Sequence, residues 1–429
     1  ASLEIPAGTD EFFVPKLFYR AEYADFCNNN RYAPKHKLNA YLSGNLDGYG
    51  GGVSYAAGAF VHTFRQLAEM KEYKVGDQPC LTDPAVYETV LKNVRAWLDS
   101  NRNATIISVS PNDSYTNQAG CRCANCKALD DQYGSPMGSL LTFVNRIARD
   151  IREDYPQVYV ETLAYHYTQT PPVGLVAEDN VLIRLCPSAC CMVHGIAGCE
   201  QGDTFRADLT AWSKICKNLS IWHYSVNFGN YLLPLPNLFS IYDDVQLYLQ
   251  NGVVSIFDEA AYNSRTGEFE ELRSYLFSKL MWNPDMTREE YERHMNEFLQ
   301  YYYGDGWEYI RRYIDATYTE IAGVAHFNHA ANAETVYPVK KSDDSFAFLS
   351  AMYGLFEKAE AAATTPEEPE EATRIRKSSV QALYLWLYRM DRSAPEDMKE
   401  KLAALIKEAH IAMFSEGRVM PAKLPVRKP

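Results

Sequence analysis

The feature that most constrains the fold is a regular alternation, in which short apolar runs rich in β-branched residues are separated by stretches with helical spacing. Eight runs have the length and composition of strands, at 15–21, 37–42, 61–64, 105–109, 158–167, 180–186, 219–226 and 252–260. Strands that alternate with helices are typical of parallel α/β domains, and eight of them predict a TIM (β/α)8 barrel. A doubly wound open sheet is the alternative, which is disfavoured because no GxGxxG motif follows an early strand.

The pattern changes near residue 287, where the strand-like runs stop and helical periods take over. The predicted helices of this region cover 287–302, 305–325, 344–363, 367–391 and 395–414. We therefore predict two domains, a (β/α)8-barrel catalytic domain over residues 1–286 and an α-helical domain over residues 287–429.

Charge and hydropathy argue against two classes of partner. The chain has 42 Lys and Arg against 55 Asp and Glu, a net charge of −13, and no basic run outside its last residues, so we expect no nucleic-acid partner. No stretch of 18 apolar residues occurs, and we expect no membrane span. Aromatic residues make up 13% of the chain, including 31 Tyr, and such half-polar rings suit contacts with the faces of sugars.

Polar and acidic residues follow several of the predicted strands. The carboxyl ends of barrel strands share one face, where catalytic groups are found. Hydrolysis of a glycosidic bond needs an acid that protonates the leaving oxygen and a second group that stabilises the anomeric carbon, which paired carboxylates supply. The catalytic candidates at these ends are Asn112, Asp113, Asp258 and Glu259. The alternative is that Asn112 and Asp113 only shape a turn and that the other pair is a solvated strand end.

Aromatic and imidazole side chains accompany the acids at the same predicted strand ends. The candidates for substrate binding are His62, Tyr165, His166, Trp222, His223 and Tyr224. Of these, His62 stands alone beside apolar residues, a setting in which a histidine is more often structural.

A CxCxxC cluster, Cys121, Cys123 and Cys126, follows the Asn112–Asp113 strand end. Thiolates at this spacing can bind zinc, although a standard structural site pairs CxxC with a second CxxC or HxxxH motif, and neither is present. Disulfides or a shared zinc ion linking the cluster to the cysteines at 186–199, and reduced structural thiols, are the alternatives. We expect that catalysis requires no cofactor and that any zinc held by the cluster is structural. A zinc-dependent hydrolase is the least favoured interpretation.

Several segments, taken in their order along the chain, carry a resemblance to a known family. They are Leu81-Thr-Asp-Pro-Ala-Val, Ser108-Val-Ser-Pro-Asn-Asp113, the CxCxxC cluster, Thr162-Leu-Ala-Tyr-His-Tyr-Thr, Ile221-Trp-His-Tyr, Tyr231-Leu-Leu-Pro-Leu-Pro-Asn237, Gly252-Val-Val-Ser-Ile-Phe, Lys279-Leu-Met-Trp-Asn-Pro284 and Tyr302-Tyr-Gly304. Over about residues 15–315 the chain resembles the bacterial family catalogued as domain of unknown function 4838, which includes glycoside hydrolase family 163.

The resemblance implies a retaining endo-β-N-acetylglucosaminidase that releases complex N-glycans from glycoproteins and uses the substrate acetamide as nucleophile. It also implies a secreted, periplasmic or cell-surface location in bacteria. Asn112-Asp113 matches the Asn-Asp motif of the family, but Phe257-Asp258-Glu259-Ala260 stands where the family has Phe-Glu-Gln-Gly, and His223 stands where an Asp is usual. These two departures support the alternative of a noncatalytic glycan-binding barrel.

Overall fold

The structure is a computed structural model of the 429-residue chain. It describes residues 6–10, 12–27, 31–40, 52–71, 77–113, 120–322, 326, 328–330, 343–363, 369–390, 394–422 and 424. Parts of four predicted elements, at 41–42, 323–325, 367–368 and 391, lie outside the described residues.

Six parallel strands form one curled sheet, which has the shape of half a barrel. The strands are β1 (Tyr19–Tyr23), β2 (Ile106–Ser108), β3 (Tyr159–Ala164), β4 (Val181–Leu185), β5 (Asn218–Tyr224) and β6 (Val253–Glu259). Their order across the sheet is β1-β6-β5-β4-β3-β2, so that β1 and β2 are the edges. The strands are buried on both faces, as expected for a parallel sheet that is covered by helices.

The predicted closed eight-stranded TIM barrel is therefore wrong, because only six of the eight predicted strands form within the described chain. Two isolated parallel bridges, Ala40 with Val53 and Tyr55 with Ile106, lie between the edge strands, and neither extends into a strand. The fold is of the α/β kind, with an open sheet.

The two missing strands have a local cause. The predicted strand 37–42 begins at Lys37, whose φ is +61°, and the predicted strand 61–64 contains His62, whose φ is +57°. A residue with positive φ lies outside the extended region that a strand ladder requires. Instead of continuing as a strand, the chain after Thr63 turns into a short helix, Phe64–Leu67.

Fourteen α-helices are seen in the described part of the chain. They are α1 (Tyr32–Lys35), α2 (Phe64–Leu67), α3 (Pro84–Ser100), α4 (Ala124–Tyr133), α5 (Met137–Ile151), α6 (Asp203–Ile215), α7 (Ser240–Gln250), α8 (Glu270–Trp282), α9 (Arg288–Tyr303), α10 (Trp307–Ala322), α11 (Asp343–Ala363), α12 (Pro369–Ser378), α13 (Val380–Met390) and α14 (Glu396–Glu408).

Capping residues explain where α3 and α9 begin. At α3 the Asp83 carboxylate accepts a hydrogen bond of 2.9 Å from the amide of Ala85, and Pro84 occupies the first helical position. At α9 Thr287 and Glu290 form a reciprocal capping box. By contrast, α8 was not predicted, because it is buried nearly all round and so shows no amphipathic period.

The C-terminal region is mainly helical and ends in a two-stranded hairpin. Predicted helix 367–391 is interrupted at Ser379, between α12 and α13. Predicted helix 395–414 ends at Glu408, and the chain continues into β7 (Met413–Ser415) and β8 (Arg418–Val419). The apolar core is continuous from Leu17 to Phe414. The division of the chain into domains at residue 287 stays a prediction.

Strand alternation decides which side chains face the hollow of the curled sheet. On β5, Trp222 and Tyr224 point into the hollow. His223 points to the helices instead, where its Nδ1 lies 3.0 Å from the hydroxyl of Tyr248 on α7. None of the described helices combines the length and hydropathy that a bilayer span needs.

Candidate active site

A buried ion pair forms the floor of the hollow. Glu161 on β3 and Arg184 on β4 are both fully buried, and Arg184 Nε lies 2.8 Å from Glu161 Oε1. The hydroxyl of Tyr55 donates to Glu161 and accepts a bond of 2.7 Å from Arg184 Nη2. The Arg184 guanidinium also lies 5.8 Å from the ring centre of Trp222. Because each charge is compensated, the network gives a rigid base for the aromatic residues above it.

A cavity of about 350 Å³ opens above this floor, at the carboxyl ends of the central strands. Ligands of open α/β sheets bind at this edge, and the volume suits a small-molecule or sugar site. The lining residues are His62, Asp113, Leu163, Tyr165, Cys186, Trp222, Tyr224, Phe228, Glu259, His329, Ala330 and Glu416.

Asp113 enters the cavity from the segment that follows β2, and the neighbouring Asn112 fixes this segment. Asn112 is buried outside the cavity, where its Oδ1 accepts a bond of 2.8 Å from the amide of Arg65 and its Nδ2 donates to the carbonyl of Asp77 at 2.8 Å. Oδ1 of Asp113 is buried and has no hydrogen-bond partner among the described residues. Such an oxygen is available to a polar group of a ligand.

Glu259 enters the cavity from the end of β6, and its carboxyl group is held by a neighbour on β5. Trp222 Nε1 donates a hydrogen bond of 2.8 Å to Glu259 Oε2. Burial raises the pKa of Glu259 to about 8, and the carboxylates of Glu416, Asp258 and Asp113 act in the same direction. The hydrogen bond from Trp222 opposes this rise because it stabilises the charged form. Glu259 is therefore largely protonated at neutral pH, as a general acid must be.

Asp258, the neighbour of Glu259 on β6, points to the other side of the sheet. It is fully buried, and its Oδ1 accepts a bond of 2.8 Å from the hydroxyl of Ser225. On the adjacent strand it is in register with Glu22, which accepts a bond of 2.7 Å from Ser274 on α8. Burial raises the pKa values of both carboxyl groups, and Asp258 raises that of Glu22 further. This pair belongs to the interior between β1, β6 and α8, outside the cavity.

Aromatic rings make up much of the cavity wall. Tyr165, Trp222 and Tyr224 all line it. The ring of His329 stacks on Tyr224 with 4.7 Å between ring centres and 16° between ring planes. Flat surfaces of this kind, beside acids, suit the alternating apolar and polar edges of a sugar.

The three predicted histidines lie in different settings. His62 lines the cavity, and its Nδ1 lies 2.8 Å from the carbonyl oxygen of Pro111. Since a carbonyl only accepts, Nδ1 carries the hydrogen, and Nε2 of the neutral ring is an acceptor. His166 lines a smaller neighbouring pocket, and burial lowers its pKa, whereas Asp113 acts to raise it. His223 is buried outside the cavity, and burial lowers its pKa to about 3.

Three cavity residues, His329, Ala330 and Glu416, come from the C-terminal region and were not predicted. The amide of Phe228 donates to the carbonyl of His329 at 2.6 Å, and the amide of Glu416 donates to the carbonyl of Phe228 at 3.0 Å. The hydroxyl of Tyr262 donates a bond of 3.0 Å to Glu416 Oε1. A Glu-Gly pair in a turn between short strands was the available signal for the hairpin of Glu416, whereas no local pattern marks His329.

The ten cysteines are all free thiols. Cys121, Cys123 and Cys126 come together with Cys80, which was not among the predicted residues. Cys191 and Cys199 belong to a separate cluster with two histidines, and Cys186 lines the cavity. The alternative in which disulfides or a shared zinc ion link the CxCxxC cluster to the cysteines at 186–199 is therefore not seen among the described residues.

Comparison with known protein families assigns the chain to one of them. The family described as domain of unknown function (DUF4838) matches residues 1–315. The chain belongs to the DUF4838 family. The match ends before residues 316–429, so that His329 and Glu416 lie outside the region by which this DUF4838 protein is assigned to its family.

Comparisons with curated proteins and with solved structures do not identify a function for the chain. No curated protein matches the chain significantly. A solved structure of a mutant O-GlcNAc hydrolase from Thermobaculum terrenum superposes with a TM-score of 0.45 at 11% sequence identity, covering 91% of this chain and 88% of that chain. A superposition at this level does not decide the fold or the function of this DUF4838 protein.

Proposed function

We propose that this protein is a glycoside hydrolase that cleaves N-acetylglucosamine-containing glycans, and more specifically a retaining endo-β-N-acetylglucosaminidase that acts on complex N-glycans. The observation that carries the proposal is the meeting of Asp113 and Glu259 in one aromatic-lined cavity. One carboxylate has a buried oxygen without a partner among the described residues, and the other is protonated at neutral pH.

The two acids fit the two roles of a mechanism in which the substrate acetamide is the nucleophile. The Asp113 carboxylate accepts the acetamide N–H, which orients the acetamide oxygen towards the anomeric carbon and increases its nucleophilicity. Glu259 gives its proton to the leaving oxygen as the glycosidic bond breaks and the acetamide oxygen bonds to the anomeric carbon, which gives an oxazolinium ion whose N–H still donates to the Asp113 carboxylate. The Glu259 carboxylate then removes a proton from the water that opens this ring, so that the configuration is retained.

The surrounding side chains support binding of the sugar. Trp222 both orients Glu259 through its N–H and offers its ring to the cavity, together with Tyr165 and Tyr224. His62 offers Nε2 as an acceptor for a sugar hydroxyl. The proposed reaction uses only the side chains named here. A glycoprotein substrate and a secreted, periplasmic or cell-surface location are part of the same proposal.

Incubation of the full chain with a glycoprotein that carries complex N-glycans tests the activity. We expect mass spectrometry to show released glycan and a single N-acetylglucosamine left on the asparagine, and NMR of fresh product to show the β anomer first. Binding of the glycoprotein without release would favour the noncatalytic glycan-binding alternative. Initial release of the α anomer would exclude the retaining mechanism.

A further inference from the structure

Two cysteines and two histidines converge beside the cavity, from parts of the chain that are distant in sequence. Cys191, His194 and Cys199 lie on the segment between β4 and α6, and His326 lies beyond α10. Their four ligand atoms all lie within 4.8 Å of one another. The two cysteines are buried, and His326 is exposed.

The distances between these atoms match the edges of a metal-centred tetrahedron. Cys191 Sγ lies 3.4 Å from His194 Nδ1, Cys199 Sγ lies 3.2 Å from His326 Nδ1, and the two Nδ1 atoms are 3.2 Å apart. A tetrahedral zinc ion with bonds of about 2.3 Å to sulfur and about 2.0 Å to nitrogen places its ligands roughly 3.3–3.8 Å apart. Nitrogen atoms of two imidazoles and two thiol sulfurs also form a preferred donor set of zinc.

We propose that Cys191, His194, Cys199 and His326 bind a structural zinc ion, which fastens the segment of His326 to the segment between β4 and α6. All four positions of the tetrahedron are taken by protein ligands, which is the arrangement of structural rather than catalytic zinc. The site is thus distinct from the cavity acids, and the proposal does not depend on the proposed glycosidase activity.

Hydrogen bonds hold the segment between β4 and α6, which carries three of the ligands, whether or not a metal is bound. The amide of Ile196 donates a bond of 2.6 Å to Asp244 Oδ1 on α7, and Arg206 Nη1 donates a bond of 2.8 Å to the carbonyl of Cys199. His326, by contrast, is three residues from His329, whose ring stacks on Tyr224 in the cavity wall. A zinc ion would therefore hold this part of the wall against the sheet.

A second cluster, of four cysteines, has its own sulfur–sulfur distances that match a zinc site. Cys80 Sγ lies 3.5 Å from Cys123 Sγ and 3.9 Å from Cys126 Sγ, and the sulfur of Cys121 completes a group within 4.8 Å. These separations exceed the S–S bond of about 2.0 Å in a disulfide but match the edge of a tetrahedral four-thiolate zinc site. We infer a second structural zinc ion here, which joins the N-terminus of α4 to the segment before α3.

Metal analysis of the full chain, purified under reducing conditions and offered zinc, tests both sites. We expect about two zinc ions per chain in the wild type, about one in His326→Ala, about one in Cys121→Ser, and about two in the control Cys216→Ser, whose cysteine lies outside both clusters. His326 is exposed, so its replacement leaves the buried core intact.

Cobalt substitution identifies which site is left in each variant. The cobalt form of His326→Ala should show only the absorption of a four-thiolate site, and that of Cys121→Ser only the absorption of a two-thiolate, two-imidazole site. An unchanged zinc content in His326→Ala would overturn the first site, and an unchanged content in Cys121→Ser the second. Iron in place of zinc, or disulfides that survive in the reduced wild type, would overturn both.

Discussion

Protonation of Glu259 is the residue-level property on which the proposed chemistry depends. Because burial raises its pKa to about 8, the acid form is present at neutral pH and is lost as the pH rises through that value. We expect kcat/KM of the wild type to fall above about pH 8. In Glu259→Gln this alkaline limb should be absent from the small remaining activity. A limb that persists unchanged in Glu259→Gln would assign it to another group.

The same pKa has a consequence for stability. A carboxyl group with a raised folded-state pKa favours folding fully below its unfolded pKa of about 4.5, and this contribution is lost as the pH rises towards 8. Glutamine stays neutral throughout this range. Relative to wild type, Glu259→Gln should therefore gain at least about 1 kcal/mol in the free energy of unfolding between pH 5 and pH 9, measured by urea denaturation. A constant difference between the two proteins would contradict the raised pKa.

At this scale the sequence predicted the candidate acids but not their orientations. Asp113 and Glu259 were predicted because each follows an apolar run that reads as a strand. Asp258 was an equal candidate, since neighbouring residues of one strand differ only in the face to which they point. The face to which each side chain points depends on the curl of the sheet around Trp222 and on the packing of helix α8 behind Asp258. Neither feature can be read from the sequence of β6 itself.

At the level of the elements, β5 supplies both the ring and the hydrogen bond that orient the acid. Replacing Trp222 by Phe keeps an aromatic ring but removes the N–H donor to Glu259. Because this donor stabilises the charged carboxylate, we expect the pKa of Glu259 to rise and the alkaline limb of kcat/KM to move to higher pH. A shift to lower pH would show that the hydrogen bond does not act on the ionised form.

The ion pair between Glu161 on β3 and Arg184 on β4 is buried, so the loss of one partner leaves the other charge uncompensated in the interior. Glu161→Gln leaves the charge of Arg184 without its partner in the floor of the hollow, and we expect a loss of about 3–5 kcal/mol in the free energy of unfolding. The control Asp131→Asn removes an exposed i,i+4 pair with Lys127 and should cost less than about 1 kcal/mol. Equal losses in urea denaturation of the two variants would contradict the role of the floor.

Elements with strong local signals were predicted well, and those shaped by their surroundings were not. Helix α9 begins at its Thr287 capping box, and the predicted helix 287–302 agrees with it to within one residue at each end. The runs at 37–42 and 61–64 have strand-like composition, but positive φ values at Lys37 and His62 turn the chain away. Composition does not report such backbone conformations in residues other than glycine.

At the scale of the whole molecule, the C-terminal region takes part in the site. Glu416, from the hairpin beyond α14, is one of the charges that raise the pKa of Glu259. We therefore expect Glu416→Gln to move the alkaline limb of kcat/KM to lower pH, opposite to the shift in Trp222→Phe. The shift should shrink at high salt, since Glu416 is exposed and its field is screened. A limb that does not move at low salt would show that the hairpin has no electrostatic effect on the acid.

Sequence patterns could not predict that the C-terminal region contributes residues to the cavity. His329 and Glu416 are held at the cavity by backbone hydrogen bonds to Phe228, so their position depends on contacts across about 100–190 residues of chain. The grouping of Cys80 with the CxCxxC cluster and of His326 with Cys191 is likewise long-range. Spacing rules for zinc detect ligands close in sequence, and here each cluster includes one distant ligand.

The central claim is that Asp113 and Glu259 act together on one N-acetylglucosamine residue. Its most direct test is the rate of glycan release by Asp113→Asn and Glu259→Gln, beside wild type and the exposed control Asp131→Asn, with folding checked by circular dichroism. We predict that each of the two variants loses at least about 100-fold in kcat/KM while the control keeps the wild-type rate. Release at the wild-type rate by a folded Asp113→Asn or Glu259→Gln protein would contradict the claim.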